Sequence, residues 1–269
     1  MPKLPVAGTE VYYERRGSGE PLLLIQGMGG NSAHWGEPFL TALEGEFELV
    51  LFDNRGAGQS GSPSDDFTIA DLAGDTLALL DALEIERAHV LGISMGGMVA
   101  QELALRAPER VVTLTLGGTT PGGTQARETS SEVVQELTAA VLSGDKERML
   151  RTGYEIVVSP EFAADPANYA AFSEIARRYP ADISLLMSQY AAVNGHDAYG
   201  RLRTLNVPTL VIHGTLDRML DHINGDLIAS MVPGARLELL DGVGHLFFIE
   251  EPERSAQLVR EHAAERTRQ

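Results

Sequence analysis

Short apolar runs alternate with amphipathic helical patterns along most of this chain of 269 residues. The runs that stand out are 22–25, 49–52, 89–91, 111–116, 209–212 and 237–240. Four of them are almost wholly apolar, which is typical of parallel strands covered on both faces. Residues 69–83 and 95–106 carry apolar side chains at helical spacing. The alternation predicts a doubly wound α/β domain, with helices on both faces of a mostly parallel sheet.

Two segments depart from this alternation. The stretch 5–16, with Gly8-Thr9 inside it, predicts an antiparallel hairpin at the edge of the sheet, which brings the expected strands to eight. Segment 119–200 has four helical stripes and no convincing strand. Helices with so little core of their own must pack on a larger domain. We therefore expect 119–200 to be a helical lid, inserted between two parts of one core, 1–118 and 201–269.

Composition excludes several classes of partner and chemistry. The chain has 38 acidic and 21 basic side chains and a formal net charge of −17, whereas binding to nucleic-acid phosphates needs a basic surface. Because there is no cysteine, disulfides, thiolate nucleophiles and zinc–thiolate sites are excluded. The sequence has neither the apolar run of a signal peptide nor a membrane-spanning stretch. We expect a cytoplasmic protein without nucleic-acid or membrane partners, and the sequence leaves a homo-oligomer open.

The motif Gly92-Ile93-Ser94-Met95-Gly96 follows one apolar run and precedes a helical pattern. A serine hydroxyl is a poor nucleophile unless it is held exposed beside a base. Glycines two residues before and after the serine permit the tight strand-to-helix turn that exposes it. So short a motif also arises by chance, and the alternatives are an ordinary glycine-rich turn or a phosphate-cradling loop. Its position between a strand and a helix favours a nucleophile.

An acid and a base follow two later apolar runs. Asp217 comes shortly after the run 209–212, and His245 lies in a glycine-containing loop after the run 237–240. The order serine, aspartate, histidine is one of the known orders of a catalytic triad. In a triad with Ser94, His245 would accept the hydroxyl proton, and Asp217 would hold its tautomer and stabilise the imidazolium.

These motifs, with the DNRGAGQS sequence at 53–60 and the stretch 242–252, resemble the α/β-hydrolase superfamily over residues 11–262. Residues 68–107 and the following Pro-Glu-Arg-Val resemble 3-oxoadipate enol-lactonases and related esterases and non-haem haloperoxidases. The resemblance implies an α/β-hydrolase fold with a helical lid. It also implies a cofactor-free serine hydrolase that cleaves a small carboxylic ester or lactone through an acyl-enzyme on Ser94.

The resemblance further implies an oxyanion hole made by the backbone N–H groups of Met28 and Met95. Gln26 departs from the family pattern, because many members have histidine at this position. Since the expected donor is a backbone N–H and not a side chain, this departure is compatible with catalysis.

We expect three residues to contact the substrate: Gly27, Trp35 and Tyr190. Trp35 lies just after the oxyanion loop, and core packing is its alternative role; the same alternative holds for the lid aromatic Tyr190. No metal is expected, because the sequence has neither an H-E-x-x-H motif nor a cluster of histidines and acids.

Three other functions remain open. The same triad chemistry would serve a hydrolase of carbon–carbon bonds in vinylogous diketones, or a perhydrolase of the haloperoxidase type. A non-catalytic ligand receptor is the third, although all three triad positions hold chemically competent residues. Dehalogenases and epoxide hydrolases of this fold have aspartate as the nucleophile, so Ser94 argues against them.

Overall fold

The computed structural model describes residues 2–62 and 65–265. Its eight strands are β1 (Lys3–Val6), β2 (Thr9–Gly17), β3 (Glu20–Ile25), β4 (Phe47–Phe52), β5 (Ala88–Ile93), β6 (Val111–Gly117), β7 (Thr209–Gly214) and β8 (Arg236–Leu240). They form one sheet in the order β1-β2-β4-β3-β5-β6-β7-β8. β2 pairs antiparallel with β1 and β4, and all other neighbours are parallel. Each predicted apolar run lies within a strand, so the mostly parallel sheet and its edge hairpin are confirmed.

Eleven α-helices accompany the sheet in the part of the chain that the structure describes. They are α1 (Glu37–Glu44), α2 (Ile69–Ala82), α3 (Met95–Arg106), α4 (Ser131–Leu142), α5 (Lys146–Val157), α6 (Pro160–Ala163), α7 (Pro166–Arg178), α8 (Ile183–Asn194), α9 (Ile223–Met231), α10 (Phe247–Glu250) and α11 (Pro252–Glu265). Among the described residues, none of these helices is both long enough and apolar enough to cross a membrane.

The two faces of the sheet bury separate apolar clusters, because successive side chains of a strand point in opposite directions. In β3, Leu23 and Ile25 pack on the face covered by α2, α3 and α9. Leu22 and Leu24 pack on the opposite face, with α1, α10 and α11. The expectation of helices on both faces is confirmed, and both layers hold the carboxyl ends of the parallel strands in a rigid frame.

Five helices, α4 to α8, follow one another between β6 and β7. Their first turns are capped by side-chain oxygens of Ser130, Asp145, Ser159, Asp165 and Asp182. The ends of this helical insertion meet, since Ala198 N–H donates to Pro121 O at 2.8 Å. Four of the helices correspond to the four predicted stripes. The fifth, α6, is only four residues long and too short to show a periodicity.

Candidate active site

Ser94 occupies a strained backbone position between β5 and α3. Its φ of 56° and ψ of −122° lie in a region that residues other than glycine rarely adopt. A β-carbon on Gly92 would overlap the carbonyl group of Gly96, and one on Gly96 would overlap the carbonyl group of Ile25. Ser94 N–H donates to Gly117 O at 2.9 Å, which ties the turn to the end of β6. The G-x-S-x-G glycines are therefore required because backbone segments touch at both positions.

Asp217 and His245 form a buried hydrogen-bonded pair beyond the ends of β7 and β8. His245 Nδ1 lies 2.7 Å from Asp217 Oδ2, and the two side chains are 5% and 0% exposed. The other carboxylate oxygen accepts backbone N–H groups of Met219 at 2.9 Å and Leu220 at 2.8 Å. These bonds leave the carboxylate one orientation and direct it at the imidazole.

A second histidine reaches the same carboxylate. His213 Nε2 lies 3.1 Å from Asp217 Oδ2 and 2.9 Å from Leu220 O, and its side chain is fully buried. Burial alone would raise the pKa of Asp217, but the charge of His245 and the hydrogen bonds from His213 and His245 outweigh burial. Together they hold the pKa of Asp217 well below its usual value.

Ser94 and His245 both lie beside the end of β6. A β-carbon added to Gly118 would lie 3.2 Å from His245 Nδ1, so the imidazole packs against this glycine. The preceding residue, Gly117, accepts the Ser94 N–H described above. The structure thus brings the three predicted triad residues to one end of the sheet, after β5, β7 and β8.

The loop after β3 passes beside the Ser94 side chain. A β-carbon added to Gly27 would lie 3.0 Å from Ser94 Cβ and 3.5 Å from its Oγ. Gly27 N–H donates to the side-chain oxygen of Gln26 at 3.1 Å, so it is already engaged. Within residues 2–62 and 65–265, the N–H groups of Met28 and Met95 have no hydrogen-bond acceptor. Two unengaged backbone donors therefore lie next to the site along the chain, one directly after Ser94 and one directly after Gly27.

The loop at 53–60 is hydrogen-bonded to the loop after β3. Asp53 accepts Ser32 N–H at 2.7 Å and Gln59 N–H at 2.8 Å, and burial raises the pKa of this carboxyl group. Arg55 instead pairs with Asp75 of α2. Asp53 thus braces the loop after β3, whereas Arg55 makes its ion pair with a helix on one face of the sheet.

The helical insertion touches both loops of the site. Leu246 N–H, next to His245, donates to Val157 O at 2.9 Å. Glu250 Oε1 accepts Ser159 N–H at 3.0 Å and Gly244 N–H at 2.9 Å. On the opposite side, Gly29 N–H donates to Gln189 Oε1 at 2.8 Å. The insertion is therefore anchored next to the histidine loop and next to the loop after β3.

A sequence model described as the alpha/beta hydrolase fold matches residues 20–252. The chain belongs to the α/β-hydrolase-fold family. This confirms the family resemblance, and with it the prediction of an α/β-hydrolase fold.

Three known members of the α/β-hydrolase-fold family illustrate the similarity. An Azorhizobium caulinodans protein named as a carbamate hydrolase is 30% identical over 259 residues, which cover 94% of each chain. A poly(3-hydroxyalkanoate) depolymerase of Ectopseudomonas oleovorans is 29% identical, over 89% of this chain and 82% of the depolymerase. The crystal structure of an enol-lactonase from Burkholderia xenovorans LB400 superposes with a TM-score of 0.86 at 26% identity, covering 98% and 100% of the two chains. The prediction that the chain is an enzyme of hydrolytic type is confirmed.

The three residues expected to contact substrate lie in different surroundings. Gly27 lies beside Ser94, and Tyr190 is 52% exposed on α8. The expectation for Trp35 is wrong, because its indole is 0% exposed. It packs in the core against Phe39 and Phe248, with ring centroids 6.0 and 4.8 Å apart. Proximity to the loop along the chain did not place this ring at the site.

Sequence reasoning missed the roles of three residues that hold the site together. His213 is bonded to Asp217, and it precedes this partner, which lies in the loop after β7, by only four residues. Glu250 lies inside the stretch 242–252, so its place in that motif was the one indication in the sequence that it has a role. Gln189 lies 160 positions from its partner Gly29, and no local pattern indicates such a contact.

Proposed function

We propose that this protein is a serine hydrolase that cleaves a small carboxylic ester or lactone through an acyl-enzyme on Ser94. The observation that carries the proposal is that Ser94, on its strained turn, and the buried His245–Asp217 pair lie at the same end of the sheet, both beside the end of β6. The names of the relatives support the same substrate class, because lactones and hydroxyalkanoate polymers both contain carboxylic ester bonds.

In the proposed mechanism, Ser94 Oγ attacks the carbonyl carbon while His245 Nε2 takes the hydroxyl proton. The carbonyl oxygen becomes an oxyanion that accepts the N–H groups of Met28 and Met95. When the carbon–oxygen bond to the leaving group breaks, His245 donates its proton to the leaving oxygen. Water then attacks the acyl carbon while His245 removes a proton from the water. The bond between the acyl carbon and Ser94 Oγ breaks, His245 returns the proton to Oγ, and the acid is released.

Asp217 has two tasks in this mechanism. Its hydrogen bond to Nδ1 keeps the proton on that nitrogen, so that Nε2 presents its lone pair to Ser94. Its lowered pKa keeps the carboxylate ionised at neutral pH, where its charge stabilises the imidazolium formed during attack. In this mechanism no step requires Asp217 itself to be protonated.

We also propose that residues 119–200 act as the lid of this site. The support is that the insertion contacts the loop after β3 through Gln189 and the histidine loop through Val157. Substrate would then bind between the lid and the strand ends, with Tyr190 and Gly27 as contacts. The lid would set the size of the acyl and alcohol groups accepted.

The test compares wild type with Ser94→Ala on short-chain nitrophenyl esters, lactones, carbamates and a ring-fission diketone. We expect wild type to cleave esters or lactones and to be acylated by a fluorophosphonate probe. The variant should fold normally and lose about 10⁴-fold or more in kcat. Absence of ester and lactone cleavage by wild type would contradict the proposal. Faster diketone cleavage would favour the carbon–carbon hydrolase, peracid formation from hydrogen peroxide and acetate would favour the perhydrolase, and binding without acylation would favour the receptor.

Carbamate cleavage is the second candidate function, because the 30% identical relative is named for that reaction. A carbamate presents the same carbonyl carbon to Ser94 and differs in the nitrogen attached to it. The carbamate arm of the panel decides between the two, by comparing kcat/KM for an ester and a carbamate with the same alcohol group.

A further inference from the structure

Helix α8 of the insertion rests directly on the loop after β3. A β-carbon added to Gly29 would lie 3.0 Å from Leu186 Cδ2, which shows how closely this helix approaches the loop backbone. Gln189, on the same side of α8, accepts Gly29 N–H at 2.8 Å and is 0% exposed. Because a backbone N–H can only donate, the side-chain oxygen of Gln189 must face Gly29.

Three consecutive peptide groups of this loop are held by hydrogen bonds. In the 26–27 peptide, the N–H donates to Gln26 Oε1 at 3.1 Å and the carbonyl oxygen accepts Asn54 Nδ2 at 3.2 Å. The carbonyl oxygen of the 27–28 peptide accepts Gly30 N–H at 3.1 Å. The N–H of the 28–29 peptide donates to Gln189 Oε1, so this peptide is the one held by the helical insertion.

The loop depends on such bonds because three of its four residues at 27–30 are glycine. Glycine adopts more backbone conformations than any other residue, so the free loop loses much entropy when it takes one shape. Met28, whose N–H is the proposed oxyanion donor, lies between the second and third of the bonded peptides. Fixing the 28–29 peptide therefore removes one of the rotations that would turn Met28 N–H away from Ser94.

We infer that Gln189 is a positioning residue through which the helical insertion holds the oxyanion loop in its active geometry. The inference rests on the proposed function, in which Met28 N–H stabilises the oxyanion. Donors aimed in advance at a developing charge stabilise the transition state more than donors that must first be ordered. Loss of the Gln189 contact should therefore slow the chemical step while leaving ground-state substrate binding nearly unchanged.

The test uses Gln189→Met, with Gln101→Met as the matched control. Gln101 is also 0% exposed on a helix and also makes one hydrogen bond, from its Nε2 to Thr120 O at 3.1 Å, away from the oxyanion loop. Three measurements are made on each protein: hydrogen exchange at the Gly29 amide, kcat and KM per active site titrated with fluorophosphonate, and affinity for a trifluoromethyl ketone. Gln189→Glu, which keeps an acceptor oxygen for Gly29, serves as the conservative variant for the exchange measurement.

For Gln189→Met we expect Gly29 exchange to accelerate by about tenfold or more. We expect kcat to fall by about tenfold, with KM changed less than twofold, and affinity for a trifluoromethyl ketone that mimics the oxyanion to fall in parallel. That loss is smaller than the loss of about 10²- to 10³-fold on deleting an oxyanion donor, because the donor itself remains. Gln101→Met should leave all these quantities near wild type, and Gln189→Glu should retain slow exchange.

Three results would overturn the inference: unchanged Gly29 exchange in Gln189→Met, an increase in KM without loss of kcat, or equal effects in Gln101→Met. Failure of the proposed function is distinguishable from these. In that case wild type would neither turn over substrate nor react with fluorophosphonate, while the exchange comparison would still report whether Gln189 holds the loop. A loop held by Gln189 in a protein without turnover would refute the catalytic role of this contact.

Discussion

Nδ1 of His245 lies 2.7 Å from Oδ2 of Asp217 in surroundings that exclude nearly all solvent. The carboxylate also accepts two backbone N–H groups, so its orientation does not depend on the imidazole. The imidazole, by contrast, depends on the carboxylate for its tautomer. Substitution of Asp217 should therefore affect the imidazole, whereas substitution of His213 should leave the Asp217–His245 bond in place.

Asp217→Asn should lower kcat by about 10⁴-fold, the scale expected when the triad histidine loses its correct tautomer. The amide has nearly the same shape, so KM should change little, whereas the free energy of unfolding should fall by about 2 kcal/mol or more, because the buried donors around this position lose a charged acceptor. Steady-state kinetics on a nitrophenyl ester, together with urea denaturation, check the prediction. A kcat within tenfold of wild type would show that Asp217 is not the acid of the triad.

His213→Leu removes one donor to Asp217 and leaves the backbone donors in place. A hydrogen bond to a buried charged group contributes about 1.5–3 kcal/mol, so we expect a loss of about 2 kcal/mol in the free energy of unfolding. The kcat should fall much less than in Asp217→Asn, because His245 keeps its partner. The same two measurements test this, and equal kcat losses in both variants would contradict it.

The burial of Glu250 should make the stability of the protein depend on pH. Burial raises the pKa of Glu250 above its unfolded value, even though Ser159 and Gly244 N–H groups lower it. The folded protein therefore binds this proton more tightly than the unfolded chain does, and stability is lost as pH rises through the folded pKa. Glu250→Gln keeps the oxygen acceptor but does not titrate. The free energy of unfolding of Glu250→Gln minus that of wild type should therefore be larger at pH 8 than at pH 4.5.

Urea midpoints of wild type and Glu250→Gln at both pH values give the measurement. Glu174→Gln, at an exposed position of α7, is the control for loss of one negative charge from the surface. A stability difference between Glu250→Gln and wild type that is independent of pH, or one that Glu174→Gln reproduces, would refute the prediction.

Two glycine substitutions should change stability in opposite directions. A β-carbon on Gly96 would overlap Ile25 O and lie 2.7 Å from Gln26 O, both rigid backbone atoms. We expect Gly96→Ala to cost about 3 kcal/mol, at the upper end of overpacking effects. Gly153 lies inside α5 with nothing within 4 Å of an added β-carbon, so Gly153→Ala should stabilise by about 0.5–1 kcal/mol. Thermal unfolding of the two variants measures both changes in stability. Stabilisation by Gly96→Ala would show that the end of β3 and the turn at Ser94 can move apart.

Local patterns were sufficient for the strands, most of the helices and the three candidate triad residues. Apolar runs such as 111–116 are recognisable because a strand buried on both faces needs apolar side chains at consecutive positions. Ser94, Asp217 and His245 could be selected because each follows such a run, and parallel strands bring their carboxyl ends to one edge of the sheet. These inferences need only a few neighbouring residues and one rule about topology.

The contacts that complete the site were decided by packing between distant segments. Trp35 is next to the oxyanion loop along the chain, yet its ring turns into the core with Phe39 and Phe248. Gln189 meets Gly29 across 160 positions because α8 lies on the loop, and periodicity does not specify where a helix rests. The sequence by itself determined which segments form strands and helices and where reactive groups follow them, since those properties are local. Only the tertiary structure decided which side chains hold those groups in place, because that depends on how whole elements pack.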